Sequence, residues 1–95
     1  MKINERAEAL SQLLRNEIVR RRESCGFSKN ETATRAALAV SFISDLEHGK
    51  KRPTVETLAK LAWVFGTTPG EILTTCEDAL EKEVNRSRTE GEPEG

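Results

Sequence analysis

Two glycines, Gly26 and Gly49, bracket the stretch GFSKNETATRAALAVSFISDLEHG, which has room for two short helices and one tight turn and for little else. Ser28 can cap the first helix by accepting the backbone N–H three residues on, and Glu31 can reach back to complete a capping box. Ala33, Ala36 and Ala37 are small and helix-favouring, which suits a helix that another crosses closely. The chain then turns around Ala37-Leu38-Ala39, because Leu38, Phe42, Ile43 and Leu46 begin a new apolar stripe at helical spacing. Gly49 ends that second helix, since glycine enters the left-handed conformation beyond a helix C-terminus without steric cost.

A helix pair joined by so short a turn is the layout with which DNA-binding proteins present a recognition helix. The wider pattern is specific. Arg22, GFS at 26–28, Ala33, SFIS at 41–44, LEHG at 46–49, Pro53, ETLAKLA at 56–62 and EIL at 71–73 together resemble the Cro- and phage-repressor-type (Xre-like) helix-turn-helix family. The resemblance runs from about Leu14 to Leu73, roughly two thirds of the chain. It implies an all-α, five-helix, repressor-like domain that binds double-stranded operator DNA, commonly as a homodimer.

Carried over residue by residue, the resemblance puts the family's base-facing positions at Val40, Ser41, Ser44 and Asp45. Ser41 can donate or accept at several base edges, Val40 suits a thymine methyl, and Asp45 can accept from cytosine N4. None of the four is Arg, Lys, Asn or Gln, the residues of strong bidentate base contacts, so weak direct readout helped by DNA shape is expected. Ala39 stands where a Ser or Thr commonly caps this helix. Ser28 and Lys29 fall at the start of the second helix, where the family usually carries Gln at the lysine position. Lys29 there reads either as a phosphate contact aided by the helix N-terminus or as a solvated lysine. Lys50, Lys51 and Arg52 form a basic loop closed by Pro53; a charge run is by default solvated surface, but one just past a recognition helix is placed to touch phosphates. The resemblance also pairs Arg22 with Glu47 across the domain, a bidentate bond that would set the angle between the first and third helices. Thr32 replaces a usually buried Leu, so its hydroxyl needs a partner, for which a carbonyl one turn back is available.

The net charge of −1 looks unsuited to a DNA binder until it is divided along the chain. Residues 13–73 carry +3, residues 74–95 carry −4, and residues 1–12 balance. Cys25 and Cys76 make no CxxC, and His48 is the sole histidine, so no zinc site of the usual kind, and no cofactor, is expected. Both thiols read as small buried hydrophobes, and a disulfide between them is disfavoured. There is no nucleophile constellation and no phosphate-cradling glycine loop, which argues against an enzyme. No apolar run approaches the ~18 residues of a membrane span, and MKINERAEAL lacks the apolar core of a signal peptide, so a cytoplasmic protein is expected.

The flanks complete the expectation. Ile3, Ala7, Leu10, Leu14 and Ile18 recur at three and four, predicting a helix over 3–24; residues 1–12 are either its extension or a separate arm. Arg20, Arg21 and Arg22 end that helix, where cations suit its dipole. Thr54 caps a fourth helix over 55–65, whose Val55, Leu58, Leu61, Ala62 and Phe65 form an apolar stripe; Trp63 lies off it, at the core edge or in an interface. Thr68-Pro69-Gly70-Glu71 opens a fifth helix, and Cys76, Leu80 and Val84 either extend it toward Asn85 or belong to a separate helix from Thr75. The domain thus spans 13–73, with a helical extension over 74–85 and a polar, disordered tail over 86–95. A homodimer would meet through residues 54–85 or through residues 1–12. The other functional class is a protein-interaction module of the same fold, antitoxin-like or an adaptor, whose partner docks on residues 72–85 and Trp63.

Overall fold

The computed structural model describes the backbone of residues 1–91 and the side chains of residues 1–86. Five helices make up the described residues: α1 (Ile3–Ser24), α2 (Lys29–Ala36), α3 (Val40–Glu47), α4 (Val55–Val64) and α5 (Pro69–Gly91). No helix among the described residues is long and apolar enough to cross a membrane.

Helix α1 is continuous, so residues 3–12 are its N-terminal extension and not a separate arm. Its apolar stripe does different work at its two ends. Ile18 is buried and Leu10, Leu13 and Leu14 pack on the core, whereas Ile3, in the first turn, is 84% exposed. Helix α5 lies along α1 and brings Ile72, Cys76 and Leu80 inward as one stripe. A single helix therefore carries the line that could have been two, and it passes Asn85 to end at Gly91. The run RSRTE holds no glycine or proline before Gly91, so nothing breaks the helix at Arg86. The expected disordered tail thus begins as helix, and residues 92–95 lie outside the described residues.

Between these two long helices in chain order come the three short ones. Both halves of the capping box open α2: Glu31 N–H donates to Ser28 Oγ at 3.0 Å and Ser28 N–H to Glu31 Oε1 at 3.3 Å. Thr32 is buried, and its hydroxyl donates to the Ser28 carbonyl at 2.9 Å, so the polar replacement at a core position leaves no orphan group. Ala33 and Ala36 face inward and let α3 and α4 approach closely. Ile43 and Leu46 of α3 meet Leu58, Leu61 and Ala62 of α4 and Ile18 of α1 in one aliphatic core. Thr54 and Thr68 cap α4 and α5 by accepting from Thr57 and Glu71 N–H, each at 3.1 Å; Ala39 supplies no such cap to α3.

Two expectations of burial fail, at Val55 and Cys25, and Trp63 lies outside the core. Val55 is 81% and Trp63 66% exposed, because α4 turns Leu58, Leu61 and Ala62 into the core, with Val64 packed beside them, and Val55 and Trp63 lie off that strip. Cys25 is exposed beyond the end of α1, with its thiol 3.8 Å from the Phe65 carbonyl, while Cys76 is buried and its thiol is pushed to higher pKa by that burial. Both cysteines are free.

The turn of the helix pair rests on an unusual residue. Ala37 takes the left-handed conformation, φ 56°, the one non-glycine residue with positive φ among those described. Leu38 N–H then closes back on the Ala33 carbonyl at 2.9 Å, ending α2 and swinging the chain into α3.

The angle between α1 and α3 is set by an ion pair. Arg22 donates through Nε to Glu47 Oε2 at 2.6 Å and through Nη2 to Glu47 Oε1 at 3.0 Å, and its Nη1 reaches the Phe27 carbonyl at 2.9 Å. The two side chains are only 13% and 6% exposed. The hydrogen bonds to Glu47 raise the arginine's pKa, against the opposing effect of burial. One guanidinium thus ties the end of α1, the entry to α2 and the end of α3. A second cluster holds α1 to α5: Glu17, buried, accepts from Arg20 at 2.9 Å and from Arg21 at 2.7 Å, and Arg21 touches Thr75 Oγ1 at 3.4 Å. The hydrogen bond from Arg20 is the main reason the Glu17 carboxyl is held below its ordinary pKa; burial opposes it and Arg21 reinforces it.

Truncating either member of the Arg22–Glu47 pair strands the other as a buried charge, so Arg22→Ala and Glu47→Ala should each cost about 3–5 kcal/mol in urea unfolding. The double mutant should cost far less than the sum, and additive losses would exclude the pairing. Relief of a left-handed alanine, about 1–2 kcal/mol, outweighs the added freedom glycine brings to the unfolded chain. Ala37→Gly should therefore raise the urea midpoint and Ala37→Val lower it. Because the Glu17 pKa is depressed in the folded state, its contribution is complete above the unfolded carboxylate pKa and is lost as pH falls through the folded value. Glu17→Gln should flatten the acid limb of a plot of stability against pH.

Candidate nucleic-acid interface

Helix α3 buries one face, through Ile43 and Leu46, and leaves the other to solvent. Of the four base-facing positions that the resemblance implies, Val40 and Ser41 are exposed at the N-terminal end, where a helix first enters a groove. Ser44 and Asp45, one turn on, are half-buried and locally engaged. The Ser44 hydroxyl lies 3.4 Å from His48 Nδ1, and the same nitrogen is 2.7 Å from the Ser44 carbonyl, a contact that requires the proton on Nδ1. Asp45 Oδ2 lies 3.7 Å from Lys51 Nζ, which also hangs 5.6 Å over the Phe42 ring. The aspartate that would face DNA thus has a counter-cation from the neighbouring loop, which lessens its repulsion of phosphates.

Around this helix stand the cations. Lys29, half-buried, opens α2, and the Ser28 hydroxyl, though it accepts the capping N–H, keeps its own proton to donate. Arg35 on α2 is stacked on Phe27, its guanidinium carbon 4.5 Å from the ring centroid. In the loop after α3, Lys50 is exposed and Lys51 leans on Asp45. Arg52 turns away from α3 toward α1, donating to Glu8 at 2.8 Å. The loop's backbone is set by Gly49, φ 75°, with Lys50 N–H closing on the Asp45 carbonyl at 2.8 Å.

Val40, Ser41 and Lys50 are thus exposed and Lys29 half-buried, while Ser44, Asp45, Lys51 and Arg52 already hold partners within the protein. Glu47 and Arg22 are inside, in the clamp. The reading of the sequence passed over the contacts of Glu8, of Glu17, and of Arg15, whose guanidinium crosses Gly49. Helical spacing does place Glu8 and Arg15 on one face of α1, but nothing local says that the face meets the loop after α3.

Comparison with known proteins agrees with this geometry. A family model described as helix-turn-helix matches residues 18–72, more than half of the chain. An uncharacterized HTH-type transcriptional regulator, y4dJ, of Sinorhizobium fredii is 29% identical over 69 residues, covering 73% of this chain and 90% of the relative. The HTH-type transcriptional regulator DdrOP3 of Deinococcus deserti is 36% identical over 56 residues, 59% of this chain but only 43% of that protein. The crystal structure of the clp gene regulator ClgR from Corynebacterium glutamicum superposes with a TM-score of 0.71, covering 84% of this chain and 85% of the other at 20% identity, a likeness of fold. With the helix pair, the clamp and the outward face of α3 in place, the chain belongs to the helix-turn-helix family of transcriptional regulators, of Cro and phage-repressor type.

Proposed function

We propose that this protein is a repressor-like transcriptional regulator that binds double-stranded DNA as a homodimer, with α3 in the major groove. The observation that carries the reading is the division of α3. Its apolar side is locked into the core through Ile43 and Leu46, Val40 and Ser41 at its N-terminal end are exposed, and cations stand at the start of α2 and in the loop that follows α3. Val40 would meet a thymine methyl and Ser41 a base edge. Ser44 and Asp45 would contribute after releasing His48 and Lys51. Ser28, Lys29, Lys50, Lys51 and Arg52 would hold phosphates, which supply most of the affinity and none of the sequence information. With no bidentate base contact among these side chains, discrimination would lean on DNA shape.

A single module of this size buries little surface on DNA, and two copies about one helical turn (~34 Å) apart overcome that limit. The second copy would meet residues 54–85, where Trp63 is a large exposed apolar side chain, or the N-terminal extension, where Ile3 is. The exposure of Trp63 also favours a second reading, a protein-interaction module of the same fold. Ile72, Cys76 and Leu80 are turned into the core, which leaves Trp63 as the anchor of such a surface.

Selection from random duplex DNA separates the two. A regulator should enrich an inverted repeat, and its affinity should fall steeply and linearly in log K against log salt. Failure to enrich any sequence, together with salt-independent or absent duplex binding, would favour the interaction module.

A further inference from the structure

A cleft of ≈ 200 Å³ opens between the N-terminal extension of α1 and the loop that follows α3. Three cations, Arg15, Lys51 and Arg52, line it together with Ser11, Gly49 and a single carboxylate, Glu8. Arg15 is half-buried and has no ion pair or hydrogen bond among the described residues, although its guanidinium lies directly across the backbone of Gly49. A Cβ at Gly49 would stand 1.9 Å from Arg15 Nη1, so a larger residue there would push the guanidinium aside. Arg52 is the reverse case: it holds Glu8 Oε2 at 2.8 Å with both side chains largely in solvent, 72% and 59% exposed. An exposed pair of this kind exchanges readily, because it gains little over hydration.

We propose that this cleft is a seat for a DNA phosphodiester, beside the surface of α3, and that Glu8 occupies the phosphate's place on Arg52 in the free protein. The chemistry is that of the clamp turned outward. A guanidinium binds a phosphate oxygen as it binds a carboxylate oxygen, with a further gain when the phosphate carries a condensed counterion that is released. Arg15 has no carboxylate to give up and supplies the standing positive charge. Arg52 supplies the exchangeable contact. The extension of α1 thereby tunes affinity: Glu8 competes with the backbone for the same fork of donors and repels it at short range. The inference rests on the reading of the chain as a DNA-binding protein and adds to it a contact made by α1, outside the helix pair.

The test is duplex binding by the full chain across a range of salt, using wild type, Glu8→Gln, Arg52→Gln, the double variant Glu8→Gln/Arg52→Gln, and Arg15→Gln, with thermal unfolding of each. Removing Glu8 should tighten binding about two- to fivefold, the reach of an exposed ion pair, and the gain should vanish when Arg52 is also replaced. Arg15→Gln should flatten the slope of log K against log salt by about 0.9, the loss of one phosphate contact, and weaken all sequences alike. A role of Arg15 confined to packing would lower the melting temperature and leave that slope intact. Unchanged affinity for Glu8→Gln, or an unchanged slope for a folded Arg15→Gln, overturns the seat while wild-type binding leaves the regulator reading standing. Absence of wild-type binding at low salt overturns both. Glu8 and Arg52 are exposed enough that their variants fold, so the test does not depend on Arg15.

Discussion

The Arg22–Glu47 ion pair is the interaction on which the usefulness of this fold depends. The aliphatic core holds the helices together, but apolar attraction has no preferred direction of its own. A bidentate bond does have direction. Arg22 sits on the last turn of α1 and Glu47 on the last residue of α3, so two nearly parallel hydrogen bonds fix where α3 points, and the third donor fixes the entry to α2 through the Phe27 carbonyl. Taking both charges out of water offsets most of their attraction. Geometry more than net stability is what the pair contributes.

Outside the core, the molecule treats its charges in two ways. The buried carboxylates are fully committed: Glu47 to Arg22, and Glu17 to Arg20 and Arg21. The exposed cations near α3 are held loosely by the protein's own acids, Lys51 by Asp45 and Arg52 by Glu8. Buried pairs are screened little and stay made; exposed pairs are screened by salt and open easily.

Local chemistry made much of the fold legible before any coordinates. The capping box of Ser28 and Glu31, the caps at Thr54 and Thr68 and the apolar spacing of Ile43 and Leu46 act within one or two turns. Thr32 is instructive, because its need for a partner and the carbonyl that meets it lie within one turn of each other. Where the outcome depends on what a neighbouring element happens to cover, the same patterns mislead. Val55 continues an apolar stripe yet projects into solvent, and Trp63, a residue of high apolar content, lies on the uncovered edge of the same helix. Cys25 misled for the same reason: thiols are usually inside, but the chain leaves α1 before anything packs on it. At the candidate site, the exposed end of α3 and the loop cations were visible from position along the chain. Their partners were not: Glu8 lies 44 residues from Arg52, and no periodicity relates them.

What the amino-acid sequence determined by itself is the set of helices, the caps that open α2, α4 and α5, and the spacing of the residues they bury, because capping, turn conformation and helical periodicity are decided by residues within a few positions of one another. Tertiary structure alone decided which charges are spent and which are free. It set Glu8 against Arg52, brought Arg21 to Thr75, and laid Arg15 across Gly49. Those outcomes follow from the crossing of α1 over α3 and its packing along α5, contacts between residues distant in the chain, for which short-range chemistry holds no information.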